Sequence, residues 1–176
     1  ADSLPKSAIE KIDELLEAVP EGERLVERRR RLHAYVDAGH GACILKEPEL
    51  AEMIERAFLH FDGERYRLHA WVVMPNHFHV LFQPLAPYSM SEIVASWKRF
   101  TATEIKKWLR ARQESGDPES ALLDGPMWHR EYWDRYIRNA KHFDDAVAYI
   151  HINPVKAGLC ADQKSWKWSS AREYVA

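Results

Sequence analysis

Tyr66-Arg67-Leu68-His69-Ala70-Trp71-Val72-Val73-Met74-Pro75-Asn76-His77-Phe78-His79-Val80-Leu81-Phe82-Gln83 is the stretch that decides the fold. Apolar and polar residues alternate from Arg65 onward, which places Tyr66, Leu68, Ala70 and Val72 on one face of a strand. A tight Met74-Pro75-Asn76 connection then leads into a second run, so the segment is predicted to form an antiparallel hairpin. Successive strand side chains alternate faces, so His77 and His79 point the same way while Phe78 and Val80 point the other. Two imidazoles so placed can chelate one metal ion, although polar residues on the wet face of an amphipathic strand follow the same pattern. The histidines gain meaning only if further ligands and a nucleophile come from elsewhere.

Upstream of the hairpin the period is helical. Ser3 and Pro5 open an amphipathic helix carrying Ile9, Ile12, Leu15 and Leu16 that stops at Pro20. A second helix is predicted from Gly22 to about Val36, its Arg28–Arg31 run read as a solvated face, with Gly39 as the stop signal. Pro48 opens a third, burying Leu50, Met53, Ile54, Ala57 and Phe58 before Asp62-Gly63 turns the chain. Downstream, Ser89 or Ser91 caps a long helix through about Arg112 with Ile93, Val94, Trp97, Thr101, Ile105 and Trp108 inward. A polar loop over 113–125 and an extended aromatic and basic segment over 127–138 precede a last helix from about Lys141 to Asn153.

The 176 residues are sufficient for one domain, taken as 1–176. The formal charge of -2 hides a local basic stripe, Lys98, Arg99, Lys106, Lys107, Arg110 and Arg112 against Glu104, so a polyanion partner is not excluded. Cys43 and Cys160 have no paired spacing, and no apolar run approaches the roughly 20 residues of a membrane span. A disulfide scaffold and a helical membrane protein are thereby disfavoured, and a cytoplasmic location is expected.

On the last helix Tyr149 and Asn153 stand four residues apart and share a face. A phenol has an ordinary pKa of about 10, so as a nucleophile it needs help with its proton and an activated electrophile. A divalent cation held by two imidazoles and one amide or carboxylate oxygen can polarise a phosphoryl oxygen and leave positions open for substrate. His77, His79, Tyr149 and Asn153 thus supply parts for transesterification of a phosphodiester.

Four segments, in order, carry a likeness to a known family: Ala70-Trp71-Val72-Val73-Met74-Pro75-Asn76-His77-Phe78-His79-Val80; Trp128 to Arg138, ending Asp134-Arg135-Tyr136-Ile137-Arg138-Asn139; Tyr149-Ile150-His151-Ile152-Asn153-Pro154-Val155-Lys156-Ala157-Gly158-Leu159; and Trp166-Lys167-Trp168-Ser169-Ser170. The chain resembles the REP-associated tyrosine transposases, IS200-like members of the HUH class of single-stranded-DNA endonucleases. The resemblance implies an α+β fold, a ferredoxin-like antiparallel sheet with helices on one face, His-x-His on a central strand and the tyrosine on a C-terminal helix. It implies His77 and His79 as metal ligands, Asn153 as a third, and Tyr149 as the residue that attacks DNA. The implied reaction is metal-dependent cleavage near a hairpin through a 5′-phosphotyrosine, reversible for strand transfer. Members usually carry a basic, aromatic first strand just before a stretch like Ala1-Asp2-Ser3-Leu4-Pro5, so the sheet is expected to lack that strand here.

For DNA contacts, Lys98, Arg99, Arg130, Arg135, Arg138 and Lys156 are candidate phosphate partners, and Trp128 and Tyr132 candidate stacking platforms. Trp71, Trp97, Trp166 and Trp168 are expected in the core. Mg²⁺ or Mn²⁺ is the expected cation, because an open site acting on phosphate commonly uses these ions. Single-stranded or hairpin DNA is the expected partner, and the protein a monomer or homodimer. The competing readings are a metal-dependent phosphohydrolase in which water attacks, and a non-catalytic module that binds hairpin DNA.

Overall fold

A computed structural model describes residues 6–113, 125–128 and 134–173. The α+β class is as expected. The helices are α1 (Lys6–Leu15), α2 (Glu21–Asp37), α3 (Pro48–Leu59), α4 (Met90–Gln113) and α5 (Ala140–Lys156), and the strands are β1 (Tyr66–Val73) and β2 (Phe78–Pro84). Arg28 of α2 reaches Asp13 of α1 at 2.6 Å, and Arg30 and Arg31 both contact Glu27, so the basic run is tied to acids along a wet face. Ser89 is the residue that opens α4: its backbone N–H and hydroxyl donate to the Glu92 carboxylate at 2.9 and 2.6 Å, a reciprocal cap.

β1 and β2 pair antiparallel, with Val72 opposite His79 and Val73 opposite Phe78. The expected run of Tyr66, Leu68, Ala70 and Val72 on one face fails at a bulge between Leu68 and Ala70. One extra residue exchanges the faces for all that follow. Tyr66 and Leu68 therefore lie with Trp71 and Val73 against α3 and α4, whereas Ala70, Val72 and Met74 face α5. The larger core gathers Ile54 and Phe58 of α3, Trp97, Ile105 and Leu109 of α4, and Phe78, Val80 and Phe82 of β2. The smaller one joins Ala70, Val72 and Met74 to Val147 and Ile150 of α5.

Helices thus cover both faces of the hairpin rather than one. The sheet has two strands among the described residues, and residues 6–65 contribute helices and no strand to it. β1, not β2, is flanked on both sides: Val73 N–H donates to the Trp168 carbonyl at 2.9 Å, Val72 bridges Ser169, and Trp71 N–H donates to Ser170 Oγ. The His-x-His strand accordingly lies at the edge of the described sheet, not at its centre.

Two boundaries differ from expectation. Leu109 rather than Trp108 completes the inner face of α4; Trp108 lies at its flank, donating to Glu49 and stacking under Arg112. α5 continues through Pro154 to Lys156. A proline in the last turn removes only one backbone donor, and the Ala157 and Leu159 N–H groups still close onto the Asn153 and Pro154 carbonyls.

Candidate active site

The hairpin turn fixes the first two groups. His77 immediately precedes β2 and His79 lies on it, and their Nε2 atoms are 3.0 Å apart. Buried Asn76 sets the tautomer of His77. Its amide nitrogen donates to the carbonyls of Val36 and His40 at 2.7 and 2.8 Å, so its oxygen must accept from His77 Nδ1–H at 2.7 Å. In the neutral ring the proton is then on Nδ1 and the Nε2 lone pair faces His79. A hydrogen-bonded far nitrogen is the usual means of aiming a metal-ligating imidazole.

The same asparagine docks the end of α2. Gly39, at φ 80°, lets the chain leave the helix in a left-handed turn that a side chain would strain, and Leu45 N–H donates to the Pro75 carbonyl at 2.8 Å. These contacts bring Asp37 over the histidine pair. Its Oδ1 is 3.3 Å from both His77 Nε2 and His79 Nε2, yet it is buried and accepts no hydrogen bond. Its Oδ2 is 3.2 Å from His33 Nδ1, one helical turn back on α2.

α5 provides the third side. Tyr149 Oη donates to Asp37 Oδ2 at 2.5 Å, and its ring stacks beside His33 and meets His79 edge-on. Asn153, one turn on, places its amide nitrogen 3.3 Å from His79 Nε2, and Lys156 Nζ is 5.6 Å from the centre of the Tyr149 ring. Val147 and Ile150, packed on Ala70 and Val72, fix the rotation of α5 that turns Tyr149 toward the histidines.

Burial raises the Asp37 carboxyl, but the His33, His77 and His79 rings and the Tyr149 hydroxyl gathered around it together outweigh burial and hold the group ionised, well below the usual carboxylate range. Burial and the adjoining Asp37 carboxylate push the Tyr149 phenol well above its ordinary value. Burial lowers His79 to about 4, against an opposing pull from Asp37. The unfolded chain therefore takes up a proton near pH 6.5 that the folded chain refuses until about pH 4. Without divalent ions, denaturant melts should show stability falling as pH drops from 6.5 towards 4, by up to about 3 kcal/mol from this group, with His79→Gln flattening that window.

Two imidazole Nε2 atoms and an orphaned buried carboxylate oxygen, at mutual distances of 3.0, 3.3 and 3.3 Å, fit a divalent cation. Ligands about 2.1 Å from an octahedral ion sit about 3 Å from one another. His33, Asp37 and His79 also form a group close enough to share an ion.

His77, His79, Tyr149 and Asn153 are thus brought together. Asp37 and His33 complete the group, and the sequence of α2, which reads as a solvated helix, does not point to them. The available signal was His33-x3-Asp37, a one-face pair directly before Gly39. Lys156 is near the phenol, and Arg135 and Arg138 are exposed around a cavity of about 490 Å³ at the start of α5. Lys98 and Arg99 are not brought to the site: α4 packs on the opposite face of the hairpin. Trp128 is not a stacking platform, since it is buried with its indole N–H on Thr101 and its ring edge-on to Phe78. Trp71 and Trp97 are buried as expected, and Trp166 and Trp168 pack half-buried against the cores. Arg130 and Tyr132 lie outside the described residues. His151, within the tyrosine segment, is structural and bonds Ser170 Oγ at 2.9 Å. No helix among the described residues is long and apolar enough to cross a membrane.

The relatives that this chain matches are transposases, a class of DNA-cleaving enzymes, and it belongs to that class. The sequence profile described as "Transposase IS200 like" matches residues 45–153, and the chain belongs to that family. It is 29% identical over 126 residues to the REP-associated tyrosine transposase of Escherichia coli K12, spanning 71% of this chain and 67% of that one. A Haemophilus influenzae protein ascribed to the same kind is 29% identical over 99 residues, 56% of this chain and 54% of its own. The fold resembles the solved structure of a REP-associated tyrosine transposase bound to a REP hairpin, with TM-score 0.53, 24% identity, and 72% of this chain and 67% of that one covered.

Proposed function

We propose that this protein cleaves and rejoins single-stranded DNA at hairpin sequences of the REP type, with Tyr149 as nucleophile. The observation that carries this reading is the convergence of the phenol and both imidazoles on one carboxylate, Asp37. The Tyr149 oxygen attacks phosphorus, a P–O bond to the tyrosine forms, and the bond to the 3′ oxygen breaks. The products are a 5′-phosphotyrosine and a free 3′-hydroxyl. Asp37 Oδ2 holds the phenol in place through its hydrogen bond, the phenol proton ends on the departing 3′ oxygen, which becomes the hydroxyl, and Lys156 offers a cation to the phosphate. His77 and His79 would hold the cation, Mg²⁺ or Mn²⁺, with Asn153 beside them; when bound it supplies electrophilic activation of the phosphate. The reverse attack by a 3′-hydroxyl gives strand transfer.

His142 precedes Tyr149 by two turns on α5 and lines the cavity that Arg135, Tyr136, Arg138 and Lys141 also border. This supports a path for the strand from the phenol towards the start of the helix. Arg135→Ala and Arg138→Ala should each weaken hairpin binding and reduce the slope of log affinity against log salt by about 1. Fluorescence anisotropy across a salt series measures it, and unchanged slopes would remove both residues from the path.

Mass spectrometry after incubation with a hairpin oligonucleotide and Mg²⁺ or Mn²⁺ tests the reaction. A DNA adduct on Tyr149 is the expected result. Free 5′-phosphate without an adduct would mean that water attacks, and binding without cleavage would leave a recognition module.

A further inference from the structure

We propose that Asp37 of α2, rather than Asn153 of α5, is the third protein ligand of the cation, and that this one carboxylate ties cation loading to the placement of the nucleophile. The inference rests on the reading of Tyr149 as nucleophile only in its second half.

Three observations carry it. Asp37 Oδ1 is buried, accepts no hydrogen bond, and stands 3.3 Å from each Nε2 of the histidine pair. A buried anionic oxygen without a donor is costly, and a cation at that point would satisfy it. Asn153, itself buried, turns its amide nitrogen toward His79, so its oxygen could reach the cation only if the amide turned over, whereas Asp37 Oδ1 already faces the pair. The other oxygen of the Asp37 carboxylate holds the phenol at 2.5 Å, so a cation drawn to Oδ1 and the tyrosine on Oδ2 share a single rigid group. Nothing in that group is free to drift: Asn76 clamps the carbonyl of Val36, the residue before Asp37, and through its own oxygen orients His77. The arm formed by α2 therefore completes the cation site and positions the phenol, so α2 is part of the active site although 45–153 is the matched segment.

Cation affinity is measured by calorimetry with Mn²⁺ on the whole chain without DNA, for wild type, Asp37→Asn, Asn153→Ala and Tyr149→Phe. Asp37→Asn should bind at least about 10-fold more weakly, whereas Asn153→Ala and Tyr149→Phe should stay within about threefold of wild type. Asp37→Asn binding as wild type does, or Asn153→Ala showing the larger loss, overturns the proposal. A second readout needs no substitution at Asp37. In wild type labelled with ¹³C-tyrosine, the Tyr149 ring resonance, assigned by its absence from Tyr149→Phe, should shift as Mg²⁺ is added and saturate with the ion. A resonance indifferent to Mg²⁺ while the histidine resonances move breaks the link between ion and phenol. These measurements are separate from the test of function. An Asp37-dependent cation site without a DNA adduct sinks the nuclease reading alone, and an adduct with ordinary Mn²⁺ binding in Asp37→Asn sinks this inference alone.

Discussion

Tyr149→Phe is expected to abolish covalent attachment to DNA and lower cleavage of a labelled hairpin by at least about 10⁴-fold, while hairpin affinity stays within a few-fold of wild type. The phenol oxygen is the only atom removed, and the ring's stacking on His33 and its edge contact with His79 survive. The lost hydrogen bond to Asp37 should cost folding stability only about 1–3 kcal/mol, because His33 still contacts the same carboxylate oxygen. Gel assays of cleavage alongside anisotropy of binding read the split. Cleavage that persists in Tyr149→Phe would transfer the attack to water, and loss of binding together with cleavage would recast the tyrosine as a DNA contact.

His79→Ala should lower cleavage by roughly 10³-fold or more at saturating wild-type Mg²⁺, and chelation of wild-type protein should mimic it. Each imidazole supplies one lone pair to the proposed cation, and removing one leaves Asp37 Oδ1 with a single ligand neighbour. The side chain is also packed between His33, His77 and Tyr149, so circular dichroism and a thermal melt must accompany the kinetics. Partial recovery at high Mn²⁺ is the outcome specific to a weakened metal site. Full activity of His79→Ala in chelator would show the chemistry to be independent of any ion.

What α2 does illustrates the boundary between sequence and structure. Its Arg28–Arg31 run and absence of buried residues follow the pattern of a helix lying in water, and most of it is so placed. Its last turn is different only because Gly39 reverses the chain and Asn76, nearly 40 residues on, catches the carbonyls of Val36 and His40. No periodicity encodes a contact at that separation. The bulge at His69 is a similar case: a single unpaired residue leaves the alternation of types intact on paper but swaps the faces in space.

By itself the amino-acid order determined the run of helices around one hairpin, the shared face of His77 and His79, and the stripe of Tyr149 and Asn153 on one helix. Each follows from a period of 2.0 or 3.6 residues, which is local and survives without knowledge of the rest of the chain. Only the tertiary structure decided that helices cover both faces, that Trp128 is core, that Lys98 and Arg99 lie on the far side, and that Asp37 joins the histidines to the phenol. Those depend on which surfaces meet when the two cores close, a property of packing between distant segments rather than of spacing along one of them.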